Sequence, residues 1–310
     1  MVTGGAGFIG ANLCRQLLDT PGIGRVIAFD DLSTGNPRNL EGTNADLVVG
    51  SILDTHELDP VLEQADAIVH LAARPSVPRS VADPVPSHLV NASGTVNVLE
   101  GARRDGGRQI IVASSSSVYG ANPELPKHEG LATRPISPYA ASKLAAEAYT
   151  LAYGHSYELP ALAFRFFNVF GPLQAAGHAY AAVVPAFLDA ALRNQPLTVH
   201  GDGTQSRDFT YVGTVTSVIT DAILRRVSCA EPVNLAFGTR TTLLSVIELI
   251  AELLDQELEL QHIENRAGDV PHSQAAGDLV AELFPTIEPR PLREGLETTA
   301  AWMKSTLLPA

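Results

Sequence analysis

Only two cysteines, two methionines and one tryptophan occur among 310 residues. Cys14 and Cys229 cannot build a disulfide framework, and neither lies in a Cys-x-x-Cys or a Cys/His cluster, so no structural metal is expected. Two reduced thiols fit a cytoplasmic protein. Basic residues are also scarce: 21 Lys and Arg face 34 Asp and Glu, for a net charge of −13. That excludes a non-specific nucleic-acid binder, which needs a basic surface. It leaves room for an anionic small ligand held by a few local arginines. Long apolar runs are missing too. None approaches the roughly 20 residues of a membrane helix, and no basic-then-apolar leader opens the chain, so no membrane partner is expected.

Hydrophobic residues make up 45% of the chain and charged ones 18%, enough apolar material for a sizeable core. Strand-length apolar runs alternate with helical patterns through the first half. "RVIAFDD" ends at Asp31, "ADLVVG" at Gly50, "ADAIVHLAA" at Ala73, "QIIVASS" at Ser115 and "ALAFRFFN" at Asn168. Amphipathic segments over Gly7–Leu18, Pro86–Arg104 and Pro138–Tyr157 lie between them. This alternation predicts an α/β protein with a parallel, doubly wound sheet. The second half is less regular, with helices expected near Leu243–Leu254 and Leu292–Lys304. The glycines begin after three residues, so the first strand is either unusually short or lacks a few natural N-terminal residues.

Two spacings carry chemistry. Gly4, Gly7 and Gly10 form G-x-x-G-x-x-G just ahead of a helical pattern. Such glycines allow a tight turn and let the backbone approach a pyrophosphate at a helix N-terminus. Asp30 closes the next strand, 20 residues after Gly10. An acid there can bind both ribose hydroxyls and repels a 2′-phosphate, which favours NAD over NADP. Further on, "SPYAASKLAAE" sets Tyr139 and Lys143 four residues apart, one helical turn, on one face. A free tyrosine, with a pKa of about 10, is too weak an acid to serve as a base at neutral pH. A neighbouring ammonium and an oxidised nicotinamide both favour the phenolate, making a general base for an alcohol that loses hydride.

"TGGAGFIG", "HLAA", "SSSSVYG", "YAASK", "RFFNVFGP" and "GDGTQSRDFTYV" follow one another at suitable spacing. Together they resemble the extended short-chain dehydrogenase/reductases and, within them, the NAD-dependent UDP-sugar 4-epimerases. The resemblance spans essentially the whole chain. It implies a Rossmann-type fold with a smaller C-terminal substrate domain. The NAD domain would take residues 1–171 plus about 207–236, and the nucleotide-sugar domain 172–206 and 237–310. It makes Tyr139 the base, Lys143 the residue that positions it and lowers its pKa, and Ser115 the third catalytic member. NAD contacts would come from Gly4, Gly7, Phe8, Ile9, Gly10, Asp30, Ile52, Leu71, Ala72, Ala73 and Asn91, with Tyr139 and Lys143 on the nicotinamide ribose. Arg207 and Arg266 would hold the diphosphate, where guanidinium forks suit phosphate oxygens. Asn168 would touch the diphosphate or sugar, and Asp269 the uridine ribose. Thr198 and His200 would border the uracil, with Val183 and Phe209 close by.

The resemblance also separates reactions. Dehydrating and decarboxylating relatives carry an acid directly after the triad Ser/Thr; here Ser116 and Ser117 stand there. Hydroxyls can hold a sugar but cannot supply the acid/base of a β-elimination. The expected reaction is epimerisation at carbon 4 through a keto sugar, with NAD held tightly and regenerated. Ser273 matches a position where small side chains admit 2-acetamido sugars. The serine run resembles that of uronate epimerases, so UDP-glucuronate/UDP-galacturonate is the first expectation, ahead of UDP-N-acetylglucosamine and UDP-glucose. Three residues depart from the pattern: Ser51 replaces a common acid, Pro75 a lysine, and Leu173 an arginine that could serve a uronate. A non-catalytic NAD-binding paralogue is the alternative class, and a homodimer through the two long helices is expected.

Overall fold

The computed structural model describes residues 1–104, 107–176, 181–264 and 271–307. Its centre is a sheet containing β1 (Val2–Thr3), β2 (Ile27–Asp30), β3 (Asp46–Val49), β4 (Ala67–His70), β5 (Gln109–Ser115) and β6 (Ala161–Phe166). The strand Val233–Leu235 adds a seventh member beyond β6. From that edge the order is Val233–Leu235, β6, β5, β4, β1, β2, β3, and every pairing is parallel. The chain winds outward from β1 to β3, crosses back to β4, and winds the other way. The crevice above the carboxyl ends of β1 and β4 is therefore the place where such sheets bind ligands.

Both faces of the sheet are covered, which is why its strands are apolar without alternation. Along β5, Ile111 joins Val2, Leu13, Val69, Leu162 and Val215 on one face. Ile110 and Val112 join Phe29, Leu58, Ile68, Val98 and Leu99 on the other. The first face is closed by α1 (Phe8–Leu18) and the helix Val212–Arg225. The second is closed by the helices Thr55–Leu62 and Gly94–Arg104. A separate core gathers Phe170, Phe187, Leu197, Phe209, Val246, Ile250, Leu296 and Met303 from the later helices Val183–Leu192, Leu243–Leu254 and Leu292–Leu307 and the short strands near them.

The structure refines four sequence expectations. β1 has two residues against four in its neighbours β2 and β4, and the Met1 ammonium donates to the Ala67 carbonyl at 2.9 Å. β4 stops at His70, so Leu71–Ala73 form a loop instead of strand. β6 stops at Phe166, and Asn168–Phe170 leaves the main sheet to pair with Phe209–Tyr211. The expected helix Pro86–Arg104 is three linked pieces, Pro84–His88, a π-helical turn Leu89–Ser93, and Gly94–Arg104. Among the described residues no helix is long and apolar enough to cross a membrane. No group of three or more His, Cys, Asp or Glu among them could hold a metal ion.

Candidate active site

The glycine loop leaves β1 and runs into α1. Gly4 adopts φ +68° and donates its N–H to the Phe29 carbonyl at 2.8 Å. A Cβ on Gly4 would stand 2.8 Å from the Ala72 nitrogen, and one on Gly10 would stand 2.1 Å from the Gly4 oxygen. Only hydrogen fits there, so the loop packs against its own helix and against Leu71–Ala73. Gly7 is the N-cap of α1 and no side chain caps it, and Phe8 and Ile9 form its first turn. The N-terminal N–H groups of α1 thus keep the positive end of a helix for an anion.

Asp30 is 6% exposed; its carboxylate accepts the Ala6 N–H at 2.9 Å and the Leu32 N–H at 2.9 Å. Burial raises its pKa while those two bonds oppose the shift. A Cβ on Gly35 would lie 2.7 Å from that carboxylate, so the space beside the acid is kept open by a second glycine. A cradle closed to any Cβ, a helix N-terminus and an oriented acid fit a dinucleotide.

Ile52 is buried against Gly94, and Ala72 donates its N–H to the Thr3 hydroxyl at 3.2 Å. The Asn91 side chain is buried. Its carboxamide binds the Arg74 N–H and carbonyl at 2.7 and 3.2 Å and the Ser142 hydroxyl at 2.9 Å. Asn91 therefore shapes the loop after β4 and ties it to the helix Pro138–Tyr157.

That helix begins with Ser137, whose hydroxyl accepts the Ala140 N–H at 3.1 Å, and Pro138 at the first position. The Tyr139 N–H donates to the Ser80 hydroxyl at 3.0 Å. Tyr139 and Lys143 lie against the end of β5, which carries Ser115. The Lys143 ammonium donates to the Ala113 carbonyl at 2.7 Å, and Ser115 hydrogen-bonds the Tyr139 phenol. Tyr139 is half-buried, yet desolvation around its phenol raises its pKa, and the Ser115 bond only opposes this. Burial lowers Lys143 to about 8. The Lys143 ammonium thus faces a strand carbonyl.

The four serines divide the work. Ser114 donates to the Glu147 carboxylate at 2.6 Å, away from Ser115. Ser117 donates its hydroxyl to Ser115 at 2.9 Å. Ser116 opens a short 3-10 turn over Ser116–Tyr119. Neither position beside Ser115 holds a carboxylate.

Around the segment that follows β6 opens a cavity of about 620 Å3. Five of the expected substrate residues line it: Asn168, Val183, Thr198, His200 and Arg207. Phe209 and Gln205 line it as well. Gln205 lies inside the "GDGTQSRDF" stretch, and its amide donates to the His200 carbonyl at 2.6 Å. Ser116, Ser117 and Ser273 stand outside that lining, and Ser273 is 9% exposed. Arg266 and Asp269 lie outside the described residues.

Residues 1–236 match the family model described as NAD dependent epimerase/dehydratase family. The chain is 35% identical to the UDP-glucose 4-epimerase of Mycolicibacterium smegmatis over 98% of both chains. It superposes with a TM-score of 0.91 on the UDP-N-acetylglucosamine 4-epimerase of Methanobrevibacter ruminantium, at 34% identity, covering 98% of this chain and 97% of that one. It also matches the UDP-glucuronic acid 4-epimerase of Bacillus cereus, crystallised with UDP-glucuronic acid and NAD, with a TM-score of 0.88, 28% identity and 98% coverage of both. The glycine cradle, the Ser115–Tyr139–Lys143 cluster and these similarities agree: the chain belongs to the NAD-dependent epimerase/dehydratase family, as an NAD-dependent UDP-sugar 4-epimerase.

Proposed function

We propose that Ser115, Tyr139 and Lys143 carry a reversible oxidation at carbon 4 of a UDP-hexose, which leaves with that carbon inverted. The observation that carries this reading is the convergence of the three side chains at the end of β5 beside the glycine cradle. Bound NAD supplies the hydride acceptor and, on the return, the donor. Tyr139 takes the proton from the sugar's 4-hydroxyl while the Ser115 hydroxyl holds that oxygen. Burial alone keeps the Tyr139 proton on, so the phenolate needs positive charge from Lys143 and from the nicotinamide together. Ser116 and Ser117 offer no acid or base for elimination, so the keto sugar is neither dehydrated nor decarboxylated. It turns about its phosphate linkage and so offers the other face of its carbonyl carbon to the returning hydride, while Tyr139 gives the proton back to the oxygen.

Arg207 and Asn168 receive the diphosphate in this reading, with Arg266 and Asp269 assigned from the sequence. Thr198, His200, Val183 and Phe209 border the nucleoside. For the sugar, three observations support an order other than the one the resemblance implies. The resemblance of the serine run to that of uronate epimerases points to a carboxylate held by Ser116 and Ser117 through hydroxyls and N–H groups. The hydroxyl and N–H of Ser117 are engaged by Ser115, and Leu173 brings no cation. Ser273 is small and buried. A neutral sugar, UDP-N-acetylglucosamine ahead of UDP-glucose, is therefore favoured over UDP-glucuronate. Steady-state rates on the three substrates test the order, and a clear preference for UDP-glucuronate contradicts it.

The same reading divides the chain into an NAD domain (1–171 plus about 207–236) and a substrate domain (172–206 and 237–310), and places it in the cytoplasm. It makes the protein a homodimer. Val81, Val85, Leu89 and Tyr149 are exposed on the short helices at 77–93 and on the helix Pro138–Tyr157, an apolar surface suited to a second copy. Light scattering that gives a monomer at micromolar concentration contradicts this.

A further inference from the structure

Asp208 has no solvent exposure, and its carboxylate takes no part in the chemistry above. Among the described residues no cation pairs with it. It is held by four donors from two other segments: the Gly238 N–H at 3.1 Å, the Thr239 hydroxyl at 2.8 Å, the Ala275 N–H at 3.1 Å and the Thr239 N–H. Burial raises its pKa and these bonds oppose the rise. A buried carboxylate is costly unless its oxygens are satisfied, so this one fixes the segments that satisfy it.

Those segments lie beside Arg207, which lines the cavity. Asp208 follows Arg207 directly, and its backbone carbonyl accepts the Asn168 N–H at 3.1 Å and the Asn168 amide at 3.2 Å. Ala275 belongs to the strap 271–276. The Pro271 carbonyl of that strap accepts the Arg207 guanidinium at 3.2 Å and the Ser206 N–H at 3.0 Å. Gly238 turns at φ +75°, and its carbonyl accepts the Gln274 amide of the same strap at 2.9 Å. The carboxylate thus joins the turn at Gly238–Thr239 to the strap that aims Arg207, alongside the strap's bonds to Lys127 and Ser206, and next to the backbone that aims Asn168.

We infer that Asp208 is a positioning residue for recognition of the nucleoside diphosphate: through the strap it presets Arg207, and with it substrate affinity, without touching substrate. The inference rests on the reading of Arg207 as the diphosphate ligand. Asp208→Ala should raise KM for the UDP-sugar, and Kd for UDP by calorimetry, about tenfold or more. kcat at saturation and the fraction of NAD retained should change by less than about twofold. In Asp208→Asn one amide oxygen can still accept the Gly238 and Ala275 N–H groups, and the Thr239 hydroxyl can turn to accept from the amide. That variant should recover most of the loss. If Asp208→Ala does not fold, Thr239→Val, which removes the hydroxyl among the four donors, should raise Kd for UDP about threefold at unchanged kcat. A fall in kcat at constant KM, or UDP binding unaltered in both Asp208→Ala and Thr239→Val, overturns the inference. If the unmodified protein itself fails to bind UDP, the reading of the cavity fails instead.

Discussion

The Ser117 hydroxyl donates to the Ser115 hydroxyl oxygen at 2.9 Å, and the Ser117 N–H reaches the same oxygen at 3.2 Å. With both donors on its oxygen, Ser115 keeps its own proton for the Tyr139 phenol. Ser117→Ala removes one of the two donors and frees the Ser115 rotor. Loss of one such bond should lower kcat by about three- to tenfold with KM nearly unchanged. Steady-state kinetics checks this, and a pure KM effect would place Ser117 on the sugar instead.

The cradle fits NAD because nothing larger than hydrogen fits at Gly10. A Cβ there would stand 2.1 Å from the Gly4 carbonyl oxygen and 2.8 Å from the Gly5 Cα, both backbone atoms that cannot rotate away. Gly10→Ala must therefore displace the loop from α1. The expected result is protein purified with little or no bound NAD, read as the 260/280 nm absorbance ratio and by release of the cofactor on denaturation.

Behind the serines, Glu147 and Arg165 form a two-pronged ion pair. Nη2 meets Oε1 at 2.6 Å and Nε meets Oε2 at 2.9 Å, with side chains 3% and 4% exposed. Arg165 also donates to the Tyr119 hydroxyl at 2.9 Å. Removing one partner strands a buried charge. Arg165→Met or Glu147→Gln should each cost about 3–5 kcal/mol in urea unfolding. The double replacement Glu147→Gln/Arg165→Met should cost less than the sum of the two.

Much of this was legible in the sequence. β5 occupies Gln109–Ser115, the span of its apolar run, because a strand buried on both faces needs no alternation. The helix carrying Tyr139 and Lys143 was announced by Ser137 and Pro138, whose preferences are local. What stayed hidden depends on contacts distant in sequence. The Lys143 ammonium turns to Ala113, 30 positions away, and the Asn91 carboxamide turns to Arg74 and Ser142. The break after Phe166 was also hidden. "ALAFRFFN" reads as one strand, and only pairing with Phe209–Tyr211 draws Asn168–Phe170 out of the main sheet. Asp208 looks like a surface acid until Gly238, Thr239 and Ala275 close around it.

His70, at the end of β4, lies between the hydroxyls of Thr3 at 2.7 Å and Thr95 at 3.0 Å. Burial, and after it the Lys143 charge, lowers the imidazole from 6.5 to about 3. The unfolded chain therefore binds more protons than the folded one between those two values, and stability falls as pH drops from 6.5 toward 3. His70→Gln should flatten that acid limb by about 2–4 kcal/mol. Urea midpoints at pH 7, 5 and 4 for the two proteins give the comparison.

The most direct measurement incubates the purified protein, with no NAD added, with UDP-N-acetylglucosamine, UDP-glucose and UDP-glucuronate in turn. Anion-exchange chromatography follows the sugar nucleotides, and absorbance is read at 340 nm. The expected result is conversion of at least one substrate to an equilibrium mixture with its 4-epimer, with no net signal at 340 nm. Tyr139→Phe should lose this activity by about a thousandfold or more while retaining its NAD. Stoichiometric NADH accumulating with each turnover, or undiminished epimerisation by Tyr139→Phe, would contradict it.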